Sequence, residues 1–392
     1  MKVIQINSSL NGSTGMIARD ISNYLNENHI DNYLFYTQGT SSNTQYINYS
    51  SKNYIKLNAL KSRILGNYGF NSNRATDNLI KNIEEIQPDI VHIHNIHGHD
   101  VNLEKLVCYL NDQHIKVVWT MHDCWLYTGY CPYYTYVRCN KWKETCYECV
   151  LRKRYSWFFD KSERNFKRKK NILENKTNIT FVTPSKWLAD EAKQSFLKTN
   201  DIQVIPNGID LNIFKIVDTD LKERLNLKDK KIILCIAMNV SERKGYNDII
   251  DLSKILKDDY KIVMVGLPKE MISHLPDNII GLERTENKEQ LVEFYNIADV
   301  FLNPTHEDNY PTVNIEAISC GTPVVAYNVG GASEVITEDT GISVKENDIH
   351  GLKQAIEKVC LKDYTESCRQ YALDNYNKET EVKSYLDLYQ SK

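Results

Sequence analysis

Residues 298–327, ADVFLNPTHEDNYPTVNIEAISCGTPVVAY, leave this chain few folds to choose from. Residues 298–304 are a short apolar run of strand type. A polar loop follows, Thr305-His306-Glu307-Asp308-Asn309-Tyr310. Pro311 and Thr312 stand where a helix begins, because proline is tolerated in a first turn and threonine is a good cap. Residues 313–318 continue as helix, and Gly321 stops it. Residues 323–327 are the next buried strand. In an open parallel sheet, ligands bind outside the carboxyl ends of the strands. Glu307, Asp308 and Glu316 then lie around a helix N-terminus at such a crevice. Backbone N–H groups there favour anions, so acidic side chains need another task, and gripping hydroxyls suits them.

The whole segment resembles the signature of the retaining GT-B glycosyltransferases of family 4. Their motif is a carboxylate, seven residues, then Glu, followed by Ala and a GTPVVA-type strand. Glu316 matches the second acid. The first falls on Asp308, so this chain has Asp-x7-Glu where many relatives have Glu-x7-Glu, and Glu307 stands one position too early. Which of Glu307 and Asp308 touches the sugar is open at this point.

A chain of 392 residues is long enough for two or three domains that each bury a core. It is 42% hydrophobic and 25% charged, and its net charge of −3 gives no sign of a nucleic-acid partner. No run approaches the roughly 18 apolar residues of a membrane span. The opening MKVIQINSS reads as a first strand and not a signal peptide, so a cytoplasmic location is expected. There, the ten cysteines are thiols or metal ligands rather than disulfides.

The first half alternates strand and helix. Residues 2–7 are a strand, 8–15 (SSLNGSTG) a Gly/Ser loop, and 16–26 a helix. Such a loop lets backbone N–H groups approach a phosphate, or is a plain tight turn. Its glycines lack GxGxxG spacing, which disfavours a dehydrogenase. In the resembling family the loop faces the donor diphosphate and the acceptor, with Gly12 and Gly15 at the matching positions. Residues 39–76 read as loops and a helix over the mouth of the domain. Strands are expected at 32–37, 90–94, 116–121 and 178–184, and helices at 79–86 and 103–110. His92, His94, His97 and His99 follow closely at the end of one strand. They form either a metal site or a pocket lining. The resemblance favours the lining, since the family's donor chemistry generally uses no protein metal. Strand 116–121 delivers His122-Asp123 to its carboxyl edge. The resemblance puts His122 beside the transferred sugar as a catalytic candidate, and the alternative is a structural histidine paired with Asp123.

Five cysteines fall between Cys124 and Cys149. Cys131, Cys139, Cys146 and Cys149 suit a four-thiolate structural zinc, with Cys146-x2-Cys149 as the knuckle. Buried thiols in an aromatic loop are the alternative. The loop resembles a subset of family 4 enzymes from bacterial polysaccharide gene clusters, which implies that it caps the acceptor side. Residues 151–170 carry nine Lys or Arg against two acids, with Tyr155, Trp157, Phe158, Phe159 and Phe166 interleaved. A basic-aromatic helix of this kind lies on an anionic leaflet, binds the diphosphate of a lipid-linked acceptor, or is a solvated face.

Residues 203–210, QVIPNGID, end the first half at a turn of Pro-Asn-Gly type. In the second half a strand at 232–237 leads into Asn239–Gly245, NVSERKG. A cation there neutralises a diphosphate as a sugar leaves. Lys244 matches the resembling family's phosphate-gripping position. The family's second cation falls where this chain has Asn239, and Arg243 is the candidate substitute. Strands at 260–266 and 279–281 follow. A Gly turn into a helix is expected at 328–334, and helices at 349–359, 364–376 and 379–388.

The alternation, twice over, gives an α/β chain of two doubly wound domains. The resemblance makes these Rossmann-like and GT-B, facing a cleft: 1–206 on the acceptor side, 207–375 binding the nucleotide sugar, and 376–392 a helix crossing back. It further implies transfer of a sugar from a nucleotide sugar, UDP- or GDP-linked, to a glycan or lipid-linked acceptor hydroxyl with retention and without a required cofactor. Glu316 would bind the ribose, Lys244 and Arg243 the diphosphate, and Asp308 or Glu307 the sugar hydroxyls. Backbone N–H groups of Asn309 and Tyr310 would lie nearby. The rival readings are a nucleotide-sugar epimerase of the same fold and a two-lobed binding protein, which would need an export signal.

Overall fold

The computed structural model describes residues 1–236 and 241–391. They divide into one unit of Met1–Pro206 with Val382–Lys392 and a second of Asn207–Glu381. The first unit holds strands β1 (Lys2–Ile6), β2 (Asp31–Tyr36), β3 (Tyr46–Asn48), β4 (Ile90–Ile93), β5 (Lys116–Thr120), β6 (Ile179–Thr183) and β7 (Asp201–Val204). They form one sheet in the order β3-β2-β1-β4-β5-β6-β7, parallel throughout. The second unit holds β8 (Lys231–Ile236), β9 (Tyr260–Val265), β10 (Ile279–Leu282), β11 (Val300–Asn303), β12 (Val324–Tyr327) and β13 (Gly341–Val344). Their order is β10-β9-β8-β11-β12-β13, again parallel.

Helices on both faces bury the strands, which explains apolar runs without alternation. Every residue of β4 and of β12 is buried. In each sheet the chain builds outward on one side, then returns to the other side of its first strand. That reversal lies between β1 and β4 in the first unit and between β8 and β11 in the second.

Four segments depart from expectation. The first helix is Gly12–Glu27, so Gly15 sits in its first turn instead of in a loop. A Cβ at Gly15 would lie 2.5 Å from the Leu10 carbonyl, so the residue is required by packing. Residues 39–76 hold β3 and two helices, Lys52–Leu65 and Asn73–Ile86. The basic run is two helices, Arg152–Tyr155 and Ser162–Leu173. Between them Ser156 is extended, and the Trp157 N–H donates to the Arg63 carbonyl at 2.7 Å, which draws the chain off the helical path. No helix follows Gly330-Gly331: turns lead to β13. Gly330 has φ +56, and a Cβ there would meet the Asp308 carbonyl oxygen at 2.1 Å.

Helix Lys378–Gln390 closes the chain. From Val382 onward it belongs to the first unit, where Tyr385 and Tyr389 are buried. The Tyr389 hydroxyl lies 2.6 Å from His92 Nδ1, and His92 Nε2 lies 2.8 Å from Thr120 Oγ1. Lys116 Nζ donates to the carbonyls of Leu388 and Tyr389 at 2.8 and 3.1 Å, as a cation does at a helix C-terminus. Among the described residues no helix is long and apolar enough to cross a membrane. Tyr389→Phe strands a buried imidazole nitrogen, which costs about 1–3 kcal/mol. Scanning calorimetry is expected to register a lower Tm; an unchanged one would mean that ring packing alone holds the helix end.

Candidate active site

The reversal in the second sheet brings two loops together. One follows β8 and the other follows β11. Gly245 makes the approach possible: it has φ +75, and a Cβ there would lie 2.0 Å from the Pro304 carbonyl oxygen. The His306 N–H donates to the Arg243 carbonyl at 2.9 Å. Arg243 Nη1 donates to the Glu307 carbonyl at 2.9 Å, and its Nε stands 3.8 Å from Glu307 Oε1. Lys244 Nζ donates to Asp308 Oδ2 at 2.5 Å. Two cations and two carboxylates, about 64 positions apart in sequence, therefore share one edge of the sheet. Asn239, where the family's second cation falls, lies outside the described residues.

The carboxylates differ in setting. Glu307 is buried, whereas Asp308 is half-buried. Asp308 Oδ1 accepts the Asn309 N–H at 2.9 Å, so that donor is turned onto its neighbour's acid. Tyr310 is buried, with its hydroxyl donating to the Tyr376 hydroxyl at 3.2 Å. Glu316 lies in helix Thr312–Ser319, which starts after Pro311 without a side-chain cap. Its Oε2 accepts from the Tyr295 hydroxyl at 2.8 Å. Burial raises the Glu316 carboxyl above its ordinary range, with Tyr295 opposing.

His306 escaped the sequence reading. Its Nε2 lies 2.9 Å from Asp248 Oδ2 and its Nδ1 3.0 Å from Glu346 Oε1. The bond to Asp248 raises it, with burial opposing and Glu346 adding to the rise. Asp248 and Glu346 come from distant segments, so nothing local could have signalled the trio.

In the first unit the reversal gathers the loops after β1 and β4. The Ser8 N–H donates to the Asn95 carbonyl at 2.7 Å, and Asn95 N–H to Asn7 Oδ1 at 3.1 Å. Gly12 has φ +78 with nothing within 4 Å of a Cβ, so its backbone faces open space. His122 follows β5, and its Nε2 lies 3.3 Å from His94 Nδ1. Asp123 Oδ2 lies 2.8 Å from His97 Nε2. The structure thus places His97 on the acid that sequence adjacency offered to His122. Burial lowers His122 to about 4 despite the opposing charge of Asp123. It is a neutral hydrogen-bonding imidazole near pH 7, not a cation. Burial pulls His97 down, but Asp123 outweighs it and leaves His97 raised. His94 also meets Gln5 Oε1 at 3.1 Å, and the Tyr68 ring lies tilted against His99 with centroids 4.9 Å apart. A second residue missed by sequence, Asp100, is buried at the same edge. Its Oδ2 accepts from Tyr49 at 2.9 Å and Thr37 at 3.1 Å.

Residues 15–213, just over half the chain, match the model of Glycosyltransferase Family 4, and residues 217–378 match Glycosyl transferases group 1. The chain belongs to glycosyltransferase family 4. An Escherichia coli glycosyl transferase named for colanic acid biosynthesis is 25% identical over 321 residues, 78% of this chain and 76% of its own. Among solved structures, sucrose-phosphate synthase from Thermosynechococcus elongatus superposes with a TM-score of 0.72 at 16% identity, covering 100% of this chain and 98% of that one. Anabaena HepE in complex with UDP-glucose gives 0.63 at 16% identity, with all of both chains covered. The fold is therefore GT-B, built on two parallel Rossmann-like sheets.

In this glycosyltransferase the cysteine loop is folded on aromatic rings. Buried Trp142 packs on Tyr127 at 5.0 Å and Tyr134 at 4.8 Å. Cys131 and Cys149 share a hydrogen bond that raises the first thiol and lowers the second. Cys146 lies within electrostatic reach of both, and Cys139 within reach of Cys131 and Cys146. The Gly129 N–H points at Cys146 Sγ, 3.2 Å away. Buried Lys169 beside them is lowered to about 7 by burial, against the pull of Cys131 and Cys146. Among the described residues, however, no three His, Cys, Asp or Glu side chains are set out as a metal site. The thiols fit a zinc in part, and we propose a structural zinc for this loop. Metal analysis of protein purified without chelator tests it. About one zinc per chain is expected, and metal-free protein with all four thiols reactive overturns it.

The buried imidazoles set the acid limit of the first unit. Burial lowers His92 to about 3, His122 to about 4 and His94 well below its ordinary value. Unfolded histidines take up protons near 6.5. The first unit is expected to lose stability as pH falls from about 6.5 toward about 4, because the unfolded chain binds more protons in that window. His97, raised, has the opposite sign: its contribution is full below about 6.5 and fades as pH rises through its own value. Thermal melts across the range check this, and a Tm flat from pH 6.5 to 4 would contradict it.

Proposed function

We propose that this glycosyltransferase moves a sugar from a nucleoside diphosphate sugar to an acceptor hydroxyl with retention, in the assembly of a bacterial surface polysaccharide. The observation that carries the reading is the pairing of Arg243 and Lys244 with Glu307 and Asp308 at the reversal of the second sheet. A diphosphate needs cations, and sugar hydroxyls need carboxylates. The UDP-glucose complex of Anabaena HepE, on the same fold, supports that class of donor. The name of the Escherichia coli relative supports the polysaccharide context.

On this reading Lys244 releases Asp308 and takes a phosphate oxygen when donor enters. Arg243 backs it from its place on the Glu307 carbonyl. Asp308, the more exposed acid, holds sugar hydroxyls, and Glu307 braces Arg243. Glu316 offers its carboxylate to the ribose. The bond from C1 to the phosphate oxygen breaks while the acceptor oxygen bonds to C1 on the same face. The acceptor's proton passes to the departing phosphate, so no protein nucleophile is needed. His122, neutral, is the first unit's candidate for a hydrogen bond to a sugar hydroxyl.

Calorimetry against UDP-, GDP-, ADP- and CMP-sugars tests the donor class, and a ligand that binds only the native state also raises Tm. One nucleotide sugar is expected to bind. Lys244→Ala is expected to weaken it by 1.5–3 kcal/mol, about tenfold to a hundredfold. Equal affinity in the variant would remove Lys244 from the diphosphate. The anomeric configuration of the product, read by NMR, decides retention.

A further inference from the structure

Helix Lys52–Leu65 is amphipathic the wrong way round for a helix in water. Its buried residues are Ile55, Asn58 and Ser62, two of them polar. Leu57, Leu60, Ile64 and Leu65 face outward, between 37% and 47% exposed. Lys52, Lys56, Lys61 and Arg63 share the helix, and it contains no acid. A helix held only by burial in its own domain would turn the leucines inward.

A second exposed group adjoins its end. Trp157, Phe158 and Phe159 are 48%, 65% and 52% exposed. Their loop is tied to the helix by the Trp157 N–H, which donates to the Arg63 carbonyl, and Asn165 of the next helix donates its Nδ2 to the carbonyl of Gly66, the residue that caps Lys52–Leu65, at 2.9 Å. Cations border this loop too. Arg152, Lys153, Arg154, Lys161 and Arg164 lie on either side of the rings. The two nearby acids are engaged, Asp160 by the N–H groups of Cys149 and Ser162, and Glu163 by Lys167. The other two rings of this basic run turn inward: Phe166 is buried on Phe196, and Tyr155 stacks on Tyr130. The outward group is therefore not the whole run but three rings joined to four aliphatic side chains from another helix.

We propose that helix Lys52–Leu65 and the Trp157–Phe159 loop form one surface of the first unit that lies on an anionic lipid leaflet. Apolar tips enter the boundary between headgroups and acyl chains, and the surrounding Lys and Arg meet lipid phosphates. The charge argues against self-association, since a two-fold contact would press two cationic faces together. It argues equally against nucleic acid, because Leu and Ile tips give nothing to a phosphate backbone. The proposal does not depend on the donor or on the transfer step.

The test is flotation of the full chain with phosphatidylcholine vesicles, with and without phosphatidylglycerol. The parent is expected to float only with phosphatidylglycerol, and less as salt rises. Leu60→Ser with Ile64→Ser, and separately Phe158→Ser with Phe159→Ser, are each expected to weaken partition about tenfold or more. Lys56→Glu with Lys61→Glu is expected to do the same through charge. These side chains are exposed, so Tm is expected to hold, and donor binding by calorimetry is read on the same samples to keep the two questions separate. A parent that binds neither vesicle overturns the proposal, as do variants that all bind like the parent. Concentration-dependent dimerisation in sedimentation velocity without vesicle binding assigns the surface to a second copy and overturns it as well.

Discussion

Parallel pairing on both sides of β1 and of β8 is the constraint on which the chemistry rests. Each strand has one neighbour from the next step of the chain and one from much later. Within each unit, the loops leaving the two strands at the reversal cannot both be covered by the same crossover, so they open side by side. In the second unit that opening receives Arg243 and Lys244 from one loop and Glu307 and Asp308 from the other. Gly245 is the pin. No side chain fits between its Cα and the Pro304 carbonyl, and the backbone must take φ +75. A substitution there would separate the cations from the acids before it touched any ligand.

The two units treat charge in opposite ways. The second holds opposite charges in pairs that remain half-exposed, such as Lys244 with Asp308, at side-chain exposures of 30% and 16%. Such a pair keeps one side toward solvent, unlike a fully enclosed ion pair. The first unit buries His92, His94 and His122 as neutral rings: His122 meets His94 at 3.3 Å, the His94 ring packs on His92 with centroids 4.0 Å apart, and His92 reaches the closing helix through the Tyr389 hydroxyl. A neutral ring costs little to bury and keeps its geometry. The unit with labile ion pairs suits a charged ligand that comes and goes, and the unit with neutral rings suits hydroxyl groups.

Local chemistry was legible and long-range pairing was not. The strand, loop, helix and strand of 298–327 were readable because each boundary carries its own signal: an apolar run, Pro311, Gly321. Ser185 obeys the same local rule: it precedes helix Lys186–Lys193 and its side chain accepts the Leu188 N–H at 3.0 Å. His97 on Asp123 was not, because adjacency pointed to His122 and the true partner comes from 26 residues away. The helix expected after Gly330-Gly331 failed for a similar reason. The glycines serve the Asp308 carbonyl, a contact that no local pattern records. Short strands such as β3 and β13 lack the length to announce themselves and form because a neighbour offers an edge.

The exposed leucines of helix Lys52–Leu65 follow from the same limit. Sequence alone shows a helix with Leu, Ile and Lys, and the default is to turn the apolar stripe inward. What reverses it is the inward face already being specified: Asn58 and Ser62 are buried, and Ser62 Oγ accepts from Asn71 Nδ2 at 2.9 Å. Rotating the helix to hide the leucines would bring out that bond and bury the Lys56 and Lys61 side chains. Desolvating two ammonium groups costs more than exposing four aliphatic tips, at about 25 cal/mol per Å² of apolar surface. The helix is therefore fixed with its apolar side out, and the stability it forgoes is recoverable only from an apolar environment outside the chain.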